Sequence, residues 1–368
     1  MKKISYSITK WNTPPCLTGM PHIPLRGLWH FFFAVILFIE YCAAGLAARG
    51  KELKLRKYII KRLLQLIPIV IGITFLSFAM MRIAGSDAVL QKADASGVAL
   101  TQEVIDAQRA ELGLDKPFLQ QYVIWLGNFL RGDLGTSYIS GRDVFDTFVS
   151  KLPATLLLTA TSILLTILIS IPLGILAAVR QNRFTDYLIR VCSFIGNSLP
   201  NFFVALVLMY LLSIRLPMFP VISDGLSLRS AALPTLTLAI AMSAKYLRQV
   251  RATVLEELSK DYVTGAKARG VRFSVTLWKN VLRASLVTIL TLLALSVGNL
   301  LGGTAIVESI FMWDGAGKLA VDAINMRDYP MIQAYVVWMA VIYVAVNLAT
   351  DISYRALDPR IRLGGDRS

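Results

Sequence analysis

The chain has no histidine beyond His30, only three cysteines, and charged residues at just 17% of its 368 positions. Each shortage excludes something. With His22 and His30 confined to the first thirty residues, no bis-histidine haem, His-based metal relay or Ser–His nucleophile can be built in the rest of the chain. Cys16, Cys42 and Cys192 are too scattered for a disulfide or zinc framework. No G-x-x-x-x-G-K-[ST] phosphate loop occurs anywhere, so the chain has no means of hydrolysing ATP by itself. Catalytic and metal-binding residues are therefore expected to be absent.

What remains is apolar surface. Hydrophobic residues make up 55% of the chain, whereas soluble domains are nearer a quarter charged. A bilayer core about 30 Å thick needs roughly 20 mostly apolar residues per spanning helix. Runs that qualify are Leu63–Ala84, Pro153–Val179, Leu188–Ser213, Ala231–Tyr246, Ser285–Val307 and Met331–Ile352, the fourth being short. The fold class is an all-α polytopic membrane protein.

Charge sets the topology. Arg49, Lys51, Lys54, Arg56, Lys57, Lys61 and Arg62 precede the first run, against the single acid Glu52. The connection Gly85–Leu152 carries more acids than bases, "RQNRFTD" is basic, Glu308–Pro330 is net acidic and the tail is basic again. Lys/Arg-rich loops stay in the cytoplasm, so the six-helix core has both ends inside. The formal charge of +15 thus belongs to a cytoplasmic face, and nucleic acid is excluded as a partner.

Residues 1–54 form an extension with one hydrophobic segment, Trp29–Ala47, interrupted by Glu40. Three readings stay open: an extra N-terminal helix, a signal-like segment ending in "AGLAA", or a translation start nearer Leu55. Residues 55–152 comprise the first core helix and an extracytoplasmic loop, 153–362 the core with a cytoplasmic loop at 249–283, and 363–368 a tail. Within the outer loop, "TQEVIDAQRAELG" predicts a helix with Thr101 as N-cap and Gly113 as stop. The stretch "FLQQYVIWLGNFLRGD" predicts a second, amphipathic helix. It can lie at the outer interface, meet a soluble partner, or pack on its own bundle.

The segment Asp261–Leu286 is the most informative. It holds Lys267, Arg269, Arg272, Lys279 and Arg283 with Asp261 as its only acid, so it stays out of the hydrocarbon. Ser259 or Asp261 is placed to cap a helix and Gly270 to end it. Tyr262, Val263 and Ala266 share a face, and the small Gly265, Ala266 and Ala268 leave a thin helix that a partner protein can grip. The plain alternative is a solvated basic loop on anionic lipid.

This segment resembles the cytoplasmic EAA loop of permease subunits of binding-protein-dependent ABC importers, in particular the dipeptide/oligopeptide/nickel branch. Thr264-Gly265-Ala266 stands in the place of Glu-Ala-Ala, Gly270 falls at the expected glycine, and Thr288 replaces a usual proline. The resemblance continues in "RKYIIKRLLQLIPIVIGITFLSF", "LGLDKPFLQQYVIWLGNFLRGDLGTSY", "KLPATLLL", "GNSLPNFFVALVL", "GGTAIVESIFMWDGAGKLAVDAINMRDYPMIQ" and "ALDPRIR", with Asp314 where a proline is usual. It covers nearly everything from Leu55 onward.

The resemblance implies a six-helix ABC importer permease core in the bacterial inner membrane, moving di- or oligopeptides, with nickel or a metal chelate as the alternative cargo. It implies cytoplasmic ATPase subunits that carry ATP and Mg, a second homologous permease, an extracytoplasmic substrate-binding protein and surrounding membrane lipids. Asp261, Tyr262, Val263, Thr264, Gly265, Ala266, Lys267, Arg269 and Gly270 would then form the ATPase-coupling helix.

Candidate pathway residues are polar groups within spans: Asn197, Ser198 and Asn201 around a kink at Pro200, and Asn299, Glu308 and Ser309 on the fifth helix. Helix–helix hydrogen bonding is the competing role for each. An ion-coupled carrier normally needs ionisable groups deep in the bundle, and the six runs have none near their middles. An intramembrane protease lacks both a base and an aspartate pair. A scaffold subunit has no use for a docking helix and outer loops together.

Overall fold

The computed structural model describes residues 52–83, 101–111, 115–223, 225–286, 288–289, 300 and 304–357. Trp29–Ala47, Asn299 and the tail lie outside the described residues, as does most of the fifth expected span. The described part is helical, apart from an isolated bridge between Thr136 and Asp143.

The first helix, α1 (Glu52–Ile83), contains Pro68 and becomes apolar from Ile67. Two shorter helices follow on the outer side, α2 (Gln102–Glu111) and α3 (Phe118–Arg131). The Thr101 carbonyl accepts from the Val104 and Ile105 N–H groups at the start of α2. The next helix, α4 (Val144–Val179), starts at Val144 rather than at Pro153, because the Asp143 side chain accepts from the Asp146 N–H and fixes the entry there. Both Pro153 and Pro172 therefore sit inside α4.

The third expected span is not one kinked helix. Helix α5 (Phe184–Ser198) and helix α6 (Asn201–Met209), which continues as a π-helical turn over Tyr210–Arg215, meet at 101°. Pro200 has no N–H to continue the ladder and pushes Leu199 into extended backbone (ψ 132°). Such an angle is a break, larger than a proline kink.

Helix α7 (Leu228–Leu258) extends the short fourth run at both ends, beginning at its Ser227 cap, whose side chain accepts from the Ser230 N–H. Residues 249–258, expected to open the cytoplasmic loop, are thus the last turns of this helix. The chain then forms α8 (Asp261–Ala268) and α9 (Phe273–Thr276), which winds on through a π-helical turn at Leu277–Val281. Then come α10 (Ala305–Ile310) and α11 (Ala316–Asn325), followed by α12 (Tyr329–Leu357), whose Tyr329–Leu348 part is long and apolar enough to cross a membrane.

The centre of the bundle is the α4–α7 pair. In a bilayer, close packing and interhelical hydrogen bonds hold helices together, so small residues favour contact. Buried Thr155, Thr159, Ser162, Thr166 and Ser170 line α4, while Ala231, Thr235, Ala239, Ser243 and Ala244 line α7. Thr161 and Thr235 share a 2.8 Å hydrogen bond across them. The two helices are in close contact at Gly174: a Cβ there would lie 2.6 Å from Val250 Cγ1 and 3.2 Å from the Leu247 carbonyl. Apolar clusters fill the outer end (Phe148, Met331, Trp338), the middle (Leu158, Leu238, Trp313) and the cytoplasmic end (Ile175, Val250, Val281).

Candidate functional site

The segment expected to be the coupling helix follows the end of α7. Ser259 closes α7 by donating its hydroxyl to the Glu256 carbonyl, so it does not cap the next helix. Nor does Asp261. Lys260 occupies the cap position of α8 with extended backbone, no side chain caps, and Asp261 lies in the first turn. An acid there favours the positive end of the helix dipole. The far end matches the sequence expectation. Gly270 has φ 75°, the Gly270 N–H donates to the Lys267 carbonyl, and the Val271 N–H reaches back to Ala266 at 3.1 Å.

Two residues anchor α8 to the bundle. Ala266 is buried and Val263 packs partly against the cytoplasmic cluster of Val250, Val254, Leu277 and Val281. Asp261, Tyr262, Thr264, Lys267, Ala268, Arg269 and Gly270 are exposed. Tyr262 donates to Glu257 at 3.0 Å, and Lys260 pairs with the same carboxylate. Partial desolvation of the phenol, exposed by 38%, together with the Glu257 carboxylate beside it pushes Tyr262 up to about 12. Among the described residues, and outside its own turn of helix, no atom lies within 4 Å of where a Gly265 Cβ would be. The described part of the chain therefore leaves room for a side chain there.

Sequence reasoning overlooked the joint beside the lever. Asp186, fully buried at the start of α5, accepts from Arg251 Nε at 2.7 Å, from a second guanidinium nitrogen at 2.8 Å, and from the Asn182 N–H at 3.0 Å. Asn182 itself has φ 60°. An aspartate in an otherwise basic loop was the available signal.

The pathway candidates separate into two groups. Asn197, Ser198 and Asn201 are exposed at the α5–α6 break, with Ser198 Oγ donating to the Phe194 carbonyl. Ser309 is half-buried and donates to the Ala305 carbonyl. Glu308, by contrast, has no exposed surface. Its carboxylate accepts from Thr155 Oγ1, Thr304 Oγ1 and the Lys318 N–H, each at 2.9 Å. Thr155 Oγ1 in turn accepts from the Ala316 N–H, and Trp313 Nε1 donates to the Ala154 carbonyl. A Cβ on Gly315 would sit 2.4 Å from Glu308 Oε2, and one on Gly317 would sit 2.8 Å away. This carboxylate pins the α10–α11 turn to α4, and its surroundings leave it no contact with solvent. At the site where a proline was expected, Asp314 pairs with Lys151 at 2.6 Å, a surface bridge of small energetic weight.

Residues 170–363 match the family model described as "Binding-protein-dependent transport system inner membrane component", and residues 55–159 match the model for that family's N-terminal region. The chain belongs to this family. It is 39% identical over 316 residues to the oligopeptide transport system permease protein AppB of Bacillus subtilis, covering 83% of this chain and 98% of the relative. It is 36% identical over 305 residues to the glutathione transport system permease protein GsiC of Escherichia coli K12, covering 83% and 98%. A chain of the solved MetNI methionine ABC transporter aligns over 57% of this chain and 96% of its own, with TM-score 0.45 at 18% identity. As a permease of a binding-protein-dependent transporter, the chain is a non-catalytic, multi-pass membrane subunit.

Proposed function

We propose that this chain is one of two homologous permease subunits of an ATP-driven importer that carries di- and oligopeptides across the bacterial inner membrane. Cytoplasmic ABC ATPases supply the energy, binding ATP and Mg. An extracytoplasmic binding protein delivers the cargo to the outer loops. Peptide is favoured over nickel because similar permeases are named for oligopeptide and glutathione transport, and glutathione is itself a tripeptide.

The observation that carries the coupling step is the exposure of α8. Among the described residues Val263 and Ala266 pack α8 on the bundle and Tyr262 bonds to Glu257, while Asp261, Thr264, Lys267 and Ala268 stay exposed and nothing described fills the space beside Gly265. An ATPase groove takes that face. When the ATPases close, α8 moves. The displacement passes along α7, which packs against α4 and is tied to α5 by Asp186–Arg251. The bundle rocks as a body between inward-open and outward-open states. Asn197, Ser198, Asn201, Asn299 and Ser309 are assigned to the substrate path. Glu308 holds the outer turn in shape.

The test is co-purification with candidate ATPases, then reconstitution in proteoliposomes with the binding protein. ATP-dependent uptake of a labelled oligopeptide is expected, with no uptake of nickel. Nickel uptake without peptide uptake would reverse the cargo assignment. Uptake driven by an ion gradient in the absence of ATP would overturn the class.

A further inference from the structure

Helix α3 carries three separate stripes. At about 100° per residue, Phe118, Tyr122, Trp125 and Phe129 fall on one side; Leu119, Val123 and Leu130 on the next; Gln120, Asn128 and Arg131 on the third, which the exposed Ile124 shares. The aromatic stripe is the inward one. Phe118 and Tyr122 pack edge-on against Phe75 at 5.7 and 5.3 Å, and Trp125 approaches Phe78 at 6.0 Å. The Tyr122 hydroxyl lies 3.0 Å from Thr74 Oγ1 and donates to the Ile71 carbonyl at 3.3 Å. The aliphatic stripe is open, with Leu119 at 64%, Val123 at 65% and Leu130 at 47% exposure.

Depth decides what covers that stripe. Arg82, set over the Phe78 ring, marks the outer end of α1. Thr74 precedes Arg82 by eight residues (82 − 74), which at 1.5 Å rise is about 12 Å along the axis. Half of a bilayer core is about 15 Å. A second span agrees: Phe129 shares a cluster with Met331, Val337 and Trp338, the last well inside the expected span Met331–Ile352. The helix ends are also prepared for a dry setting. Pro117 supplies no N–H, Gln121 Nε2 donates to the Lys116 carbonyl at 2.7 Å, and the Gly132 and Asp133 N–H groups close back on Phe129 and Asn128.

We infer that α3 does not belong to the aqueous loop but is a half-inserted helix of the outer leaflet, with Leu119, Val123 and Leu130 covered by lipid acyl chains and Gln120, Asn128 and Arg131 turned to the headgroups. The lipid is named as occupant because the α1 segment that α3 packs against carries equally exposed apolar side chains, Leu76 and Met80, and an apolar surface at that depth meets acyl chains. The helix thereby fixes the height of the outer loop, and of whatever docks on it, relative to the membrane.

The test labels single cysteines with a nitroxide at Val123, Asn128 and, for reference, Leu76. The background carries Cys16→Ser, Cys42→Ser and Cys192→Ser, and the chain is reconstituted with its partner subunits in phosphatidylethanolamine/phosphatidylglycerol vesicles. At Val123, collision with molecular oxygen should exceed collision with a water-soluble nickel chelate several-fold, as at Leu76, and at Asn128 the order should reverse. Nickel-chelate access at Val123 would overturn the inference. So would protection of Val123 from both reagents, which means that a protein surface covers the stripe. Added binding protein should leave the Val123 ratio unchanged, and a loss of oxygen access on adding it would equally sink the proposal.

Discussion

Arg251 lays two nitrogens of its guanidinium across both oxygens of the Asp186 carboxylate, at 2.7 and 2.8 Å, with the acid fully buried and the arginine still touching solvent. This pair is the described ion pair that joins helix α7 to the start of the broken span α5–α6. A planar fork on a carboxylate fixes orientation as well as distance. Breaking a buried pair by removing one partner costs about 3–5 kcal/mol. Asp186→Asn is therefore expected to lower binding-protein-stimulated ATPase turnover and thermal stability together. The exchange Asp186→Arg with Arg251→Asp should recover part of both, and a double-mutant cycle with no coupling would count against the joint.

Gly265 offers a cleaner probe of docking than Gly270. At Gly270 the positive φ strains any side chain, with or without a partner. At Gly265 the backbone is helical and the space beyond is open. Gly265→Trp should insert and fold normally, by circular dichroism and protease resistance, yet lose co-purification with the ATPases. Retained assembly and turnover would remove α8 from the interface.

Glu308 satisfies three donors at once, and leaving a buried polar group unpaired costs about 1–3 kcal/mol. Glu308→Ala should lower the melting temperature measured in detergent and loosen the α10–α11 turn, seen as faster proteolysis between Phe311 and Gly317. Glu308→Gln, which keeps one acceptor oxygen, should be milder. Gly315→Ala should reproduce much of the defect, because its methyl would enter the space of the carboxylate.

Gly174 and Val250 test the central helix pair. Gly174→Ala forces a methyl against the Val250 side chain, and overpacking of this kind typically costs 1–3 kcal/mol. Val250→Ala in the same chain should relieve much of it, leaving the cavity cost alone. Additive losses, read from melting temperatures of the four proteins, would contradict the close approach.

The Tyr262 phenol, pushed up to about 12, stays protonated throughout the physiological range and keeps donating to Glu257. A raised phenol favours the neutral form in the folded state, so any stability it confers is constant below pH 10 and declines only between its ordinary value of 10 and about 12. Tyr262→Phe is therefore expected to change ATPase coupling by the same factor at pH 6 and pH 9. A factor that varies across that window would mean that another group controls this contact.

Much of this protein was set by one-dimensional information. Apolar run length gave the helical membrane class because a bilayer demands internally satisfied backbone, and alternating loop charge predicts an orientation because Lys and Arg resist translocation. The ending of α8 at Gly270 was legible since the left-handed turn is local chemistry. Where α4 begins was not, because the Asp143 cap overrides the apolar boundary at Pro153. The break at Pro200 needed tertiary structure too, since proline interrupts a ladder but packing decides the angle. Glu308 shows the division most clearly. Its sequence position made it a polar group in a span; only the fold brought Thr155, Thr304 and the Lys318 amide around it and turned a candidate for substrate contact into a buried clamp. The same holds for Asp186 and Arg251, which lie far apart in the chain and meet only because α5 packs on α7. Long-range pairing of charges carries no local signature, so it was the tertiary structure that decided how the lever is joined to the bundle.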